Sequence, residues 1–128
     1  MQVNTPISIG ELVDKLTILE IKKNKIDSDE KLKSINLEYN SLSEVLINLN
    51  LDENILTPLK NQLLEINLKL WEIEDEIRIM EKNKCFDEKF IKTARSVYIN
   101  NDNRFKVKNN INKKFNSEFK EEKSYEEY

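Results

Sequence analysis

The stretch that decides the fold is "NLKLWEIEDEIR", Asn67 to Arg78. Leu70, Ile73 and Ile77 fall three and four residues apart, the spacing of one face of an α-helix. The rhythm continues outward through Leu59, Leu63 and Ile66 before the stretch and Met80 after it. Leu64, Leu68 and Trp71 lie at i, i+4 and i+7 on a second face, about a third of a turn away. A helix apolar on two sides must be covered twice, and tryptophan is too large to leave in water cheaply. The same twelve residues also hold four carboxylates, Glu72, Glu74, Asp75 and Glu76.

Working outward, the spacing predicts more helices of the same kind. Ser8 and Glu11 form a capping box that opens a first helix carrying Ile9, Leu12, Leu16 and Leu19, with Ile18 and Ile21 off its main seam. Asp27 and Glu30 form a second box, followed by Leu32, Ile35, Tyr39, Leu42, Leu46 and Leu49. Thr57-Pro58 predicts the start of the third helix, with proline at the first helical position, and the helix runs to about Lys82. Asp87 caps a short fourth helix through about Ile99. "NNDN" reads as a turn, and Asp102 as the cap of a fifth helix bearing Phe105, Val107, Ile111 and Phe115. The expected fold is all-α: three long antiparallel helices with heptad-like packing, plus two shorter C-terminal helices packed on the bundle. It is one domain of 128 residues. Residues 1–86 form the three-helix core, 87–116 the two short helices, and 117–128 an acidic aromatic tail expected to dock through Phe119, Tyr125 and Tyr128.

Composition supports helices, because 1 glycine and 2 prolines cannot supply the turns of a β-sandwich. There is no histidine, which removes the commonest general base and metal ligand. The single cysteine, Cys85, can form neither an internal disulfide nor a zinc cluster and fits a reducing cytoplasm. No leader pattern or membrane-spanning apolar run is present, so a cytoplasmic location is expected.

Four motifs, "PISIGELVDKLTILEIK", "LWEIEDEIR", "FIKTARSVYINNDNR" and "EEKSYEEY", together resemble an uncharacterised family of short all-helical bacterial and marine-phage proteins. The resemblance spans nearly the whole chain and implies a common helical fold. That family has no assigned activity, so no catalytic residue carries over.

Several groups invite a chemical reading. Glu11 with Asp14, and Glu72 with Asp75, each place two carboxylates one helical turn apart. Helical Mg-dependent nucleotide pyrophosphohydrolases hold metal with such pairs from two helices. Here the apolar seams predict that these acids point away from the core, where they cannot converge. The chain has 18 lysines and only 3 arginines, Arg78, Arg95 and Arg104. Arginine supplies a planar bidentate donor that lysine cannot, so the three are candidates for an anion site or for ion pairs with Glu72, Glu74, Asp75 or the tail acids. Residues 87–116 hold 3 acids and 8 bases, against 16 acids and 11 bases in residues 1–86. That segment is a candidate polyanion surface, although the total charge of −3 argues against nucleic acid as a partner. Gly10 stands in the first turn of helix one, where free N–H groups could meet an anion.

The sequence therefore points to a non-catalytic protein-interaction or assembly module, without cofactor or membrane partner. The expected form is a homodimer through leftover apolar surface on the first three helices. Ile18, Ile21, Leu64, Leu68 and Trp71 are the packing candidates, with Trp71 covered by Phe90, Ala94 and Tyr98. The alternative is a small helical enzyme or ligand binder using Arg95, Arg104, Glu72 and Asp75.

Overall fold

Ser8 accepts a hydrogen bond from the Glu11 N–H at 3.0 Å and starts helix α1, Ile9–Lys25, as its capping box predicts. The computed structural model describes residues 1–128 and has three further helices and no strand: α2, Asp29–Asn48; α3, Glu53–Lys82; and α4, Glu88–Lys114. No helix is long and apolar enough to cross a membrane.

α1 is the hub. It packs against each of the other three helices, while α2 packs on α1 and α4 on both α1 and α3. Two stripes of α1 are buried. The first is the expected seam of Leu12, Leu16 and Leu19, and the second is Gly10, Val13, Asp14, Thr17 and Ile21. α2 returns antiparallel beside α1, placing the Lys23 ammonium 4.1 Å from the centre of the Tyr39 ring. α3 then runs parallel to α1, and α4 comes back antiparallel to both. The central cluster is Val13, Leu56, Leu59, Leu63 and Ile111, with Ile9, Leu46, Val107 and Phe115 packed around it.

Three helix boundaries differ from the expectation. α2 is capped by Ser28, which accepts from the Lys31 N–H, one residue after the expected Asp27. α3 begins at Glu53 behind an Asp52 cap rather than at Thr57-Pro58. The earlier start brings Leu56 into the core, and Pro58 sits in the second turn, where it forfeits one helical hydrogen bond. The third difference changes the helix count. Residues 88–114 form one helix, not two short ones separated by a turn at "NNDN". Asparagine costs a helix only about 0.6 kcal/mol relative to alanine, and these polar side chains find partners in the helical state. Asn100 Nδ2 donates to the Ser96 carbonyl at 2.8 Å, and Asp102, expected to be a cap, instead accepts from the Tyr128 hydroxyl.

The left-handed residues that follow α2, α3 and α4 are Asn50, Lys84 and Asn116, with φ of 55°, 53° and 50°. The only glycine is used elsewhere. A Cβ on Gly10 would lie 2.5 Å from the Lys108 carbonyl oxygen, so glycine is what lets α1 approach the α4 backbone. Gly10→Ala is expected to lower unfolding free energy by about 1–3 kcal/mol through overpacking, although alanine favours a helix by about 1 kcal/mol. Urea titration measures the change. A variant as stable as the parent would mean that α1 and α4 can separate freely at this point.

Candidate functional site

The α1–α4 approach places a carboxylate where water cannot reach it. Asp14 is fully buried, contrary to the expected solvated position. Arg104 meets it as a fork, Nε donating to Oδ1 at 2.9 Å and Nη2 to Oδ2. From α3, Asn67 Nδ2 donates to Asp14 Oδ1 and to Thr17 Oγ1, both at 2.9 Å, and Thr17 Oγ1 donates to the Asp14 carbonyl at 2.7 Å. One turn along α4, the buried Lys108 ammonium lies 4.0 Å from Asp14, 2.7 Å from Glu11 and 2.9 Å from Glu121 of the tail. Lys15 and Lys123 lie 3.9 and 3.8 Å from Glu11 and Glu121 at the margin. Asp14, Glu11 and Glu121 each find their cations within the chain.

The hydrogen bonds that Arg104 donates to Asp14 hold its guanidinium above the ordinary pKa, outweighing the opposite effect of burial. For Lys108, burial is the largest influence and pushes the ammonium down. The hydrogen bonds to Glu11 and Glu121 and the charge of Asp14 together reverse it, leaving the lysine above its ordinary value.

The first N–H groups of α1 are occupied too. Ile9 donates to Ser117 Oγ at 3.1 Å, Gly10 to Asn112 Oδ1 at 2.7 Å and Glu11 to Ser8. The first two hold the C-terminal part of the chain and the third the N-cap, rather than an external anion.

The family model described as "Family of unknown function (DUF6165)" matches residues 1–128. The chain belongs to this family. No curated protein and no solved structure matches it. The matched span contains the whole ion network and the surface around it.

Beside the network lies an open hollow of about 430 Å³ between α1, α3 and α4. Ile18, Ile21, Leu70 and Trp71 supply its apolar wall, Asn67, Asn101 and Arg104 its polar side, and Glu74, Asp75 and Arg78 its rim. Trp71 is half-buried here. Of the rings expected to cover it, Phe90 stands edge-on to Phe86 and Tyr98 edge-on to Tyr128. Ile21 is core, while Leu64 lines a separate groove against α2 and Leu68 stands at the surface.

The metal candidates do not converge. Asp14 is held by Arg104 and Asn67, Glu11 by Lys108, Glu72 is exposed, and Asp75 is on the hollow's rim. No three carboxylates or thiols gather into a metal-binding group. The three arginines also separate. Arg78 pairs with Glu74 at 3.2 Å on its own helix. Arg95 is exposed and donates to the Tyr98 hydroxyl at 3.3 Å, rather than to an acid. Arg104 is held in the interior by Asp14, not by any of the acids expected as its partner. The basic segment is correspondingly reduced, because Arg104 and Lys108 turn inward and Lys89 pairs with Glu76 at 3.4 Å.

The tail docks through Glu121, which holds Lys108, and through Tyr128, whose hydroxyl donates to Asp102 and whose ring stands edge-on to Tyr98. Of the three aromatics expected to dock, Phe119 and Tyr125 stay exposed, and Tyr128 makes its ring contact at the surface.

Asn67, Thr17, Lys108 and Glu121 are network members that the helix periodicity did not single out. A readable signal was the matched spacing of four residues, Gly10 and Asp14 on α1 against Arg104, Lys108 and Asn112 on the antiparallel α4.

Two measurements check the network. Arg104→Lys loses the fork beside a buried carboxylate and is expected to cost about 3 kcal/mol of stability, whereas Arg95→Lys on the exposed face stays within about 0.5 kcal/mol. Equal urea midpoints for the two variants would refute the assignment. The raised Lys108 pKa also sets an alkaline limit. Its contribution is fully present below the ordinary lysine value of about 10.4 and is lost as pH rises through the higher folded-state value. Lys108→Met should be less stable at neutral pH and show a shallower loss of stability in that alkaline range.

Proposed function

We propose that the chain is a non-catalytic helical module that assembles with a second copy of itself. The observation that carries this reading is the amount of surface left in water. A compact monomer of 15.2 kDa exposes about 7,100 Å², whereas this chain exposes 9547 Å². The excess, about 2,400 Å², matches what each subunit of a permanently associated pair buries. The non-helical ends contribute part of it. The helices contribute the rest, including Leu37 and Ile47 of α2, about three-quarters exposed, and Ile79 of α3. Only 19 of the 128 residues are buried, a thin core for a chain of this length.

The chemistry supports the same reading. The buried charges pair with one another, and no three acids or thiols gather into a metal-ligand group. Leftover apolar surface on α1–α3 remains the contact we assign to the dimer.

Analytical ultracentrifugation tests the proposal. A species of twice 15.2 kDa is expected at micromolar concentration. A sedimenting mass of one chain at every concentration up to the millimolar range would sink the assembly reading.

A further inference from the structure

We propose that the hollow beside the ion network is a binding site for an organic ammonium ion with an apolar body. The argument starts from its charge. Arg104 is neutralised by Asp14, and Arg78 by Glu74 at 3.2 Å. Asp75 on the rim has no basic partner within 4 Å, so it is the one carboxylate of the hollow's lining left unpaired. Asp75 lies four residues after Trp71, on the same face of α3, so its carboxylate and the indole stand one helical turn apart. An indole face beside a carboxylate is an arrangement that attracts an alkylammonium through cation–π and ionic attraction together.

The floor adds a second, independent feature. Asn67 is 95% buried, and its Nδ2 is committed to Asp14 and Thr17. That leaves Asn67 Oδ1, an acceptor with no donor from the chain, on a residue lining the hollow. An acceptor on the lining of the hollow takes an N–H donor, which favours a primary ammonium over a quaternary one. Ile18 on α1 and Leu70 on α3 offer apolar wall for the body of the ligand, and about 430 Å³ accommodates a molecule of amino-acid size. The same features disfavour an anion, because the Arg104 fork and the Arg78 side chain each already hold a carboxylate.

This inference does not rest on the assembly reading, and its readout is local. The chain has one tryptophan, so Trp71 emission reports on the hollow directly. Full-length protein is titrated with hexylammonium, with hexanol and hexanoate as the neutral and anionic counterparts. Hexylammonium should change the emission saturably with a Kd of about 1 mM, and the two counterparts should bind at least tenfold more weakly. Asp75→Asn, a change at an exposed position, should weaken hexylammonium about tenfold while the circular dichroism spectrum stays the same. Sedimentation in the same buffer reports assembly separately, so loss of one property leaves the other readable. Hexanol binding as well as hexylammonium, an unchanged affinity in Asp75→Asn, or no saturable response to hexylammonium by 20 times the expected Kd would each overturn the proposal.

Discussion

The Asp14–Arg104 fork is the constraint from which the rest of the architecture follows. A carboxylate with no access to water costs several kcal/mol unless cations and donors surround it. Asp14 has no such access, and its partners come from α3 and α4. Arg104 can reach it only if α4 continues unbroken through Asn100–Asn103, because a turn there would rotate Arg104 away from α1. The fork therefore explains why an asparagine-rich stretch stays helical, why α1 lies between the other helices, and why Gly10 must be bare at the crossing.

An apolar core alone would not have specified this arrangement. The seams of α1, α2 and α3 repeat Leu and Ile at alternating steps of three and four, so sliding one helix by seven residues against another buries nearly the same side chains. The ion network has no such degeneracy. Asp14 finds the Arg104 fork and the Asn67 amide at one register only, and Lys108 meets Glu11 and Glu121 at that same register. Replacing buried ion pairs with hydrophobic residues is often neutral or stabilising in other proteins, so the network is better understood as fixing register than as adding bulk stability. The tail takes part through Glu121, which couples the last segment of the chain to the first turns of α1.

Much of the architecture was legible in the sequence. The apolar steps in α1–α3 and the caps Ser8 and Asp87 located the helices, since both are local signals. The unbroken α4 was not legible, because "NNDN" is a turn by propensity and is overridden by contacts 90 residues apart, between Asp14 and Arg104. Of the candidate groups, Arg104 and Asp14 do meet, although periodicity placed Asp14 in solvent. Its neighbours Val13, Thr17 and Ile21 form a second buried stripe that a single-seam reading of α1 overlooks. The hollow was half legible. Trp71, Ile18 and Ile21 marked an apolar surface off the main seams, but its polar floor needs Asn67 and Asn101, asparagines no different in sequence from the many that are solvated.

The charge asymmetry along the chain acquires a different meaning in this structure. A run of 8 bases against 3 acids in residues 87–116 suggests a surface for an external polyanion. Its two interior members instead meet acids of α1 and the tail, so the basic segment and its acidic flanks are complementary within one molecule. Screening by salt acts over about 8 Å at physiological ionic strength and weakens solvated pairs far more than desolvated ones. Arg104 and Lys108 are thus held under conditions that would strip an exposed basic patch of its counterions. What remains exposed on the outer faces is largely lysine paired or solvated, together with isolated apolar side chains.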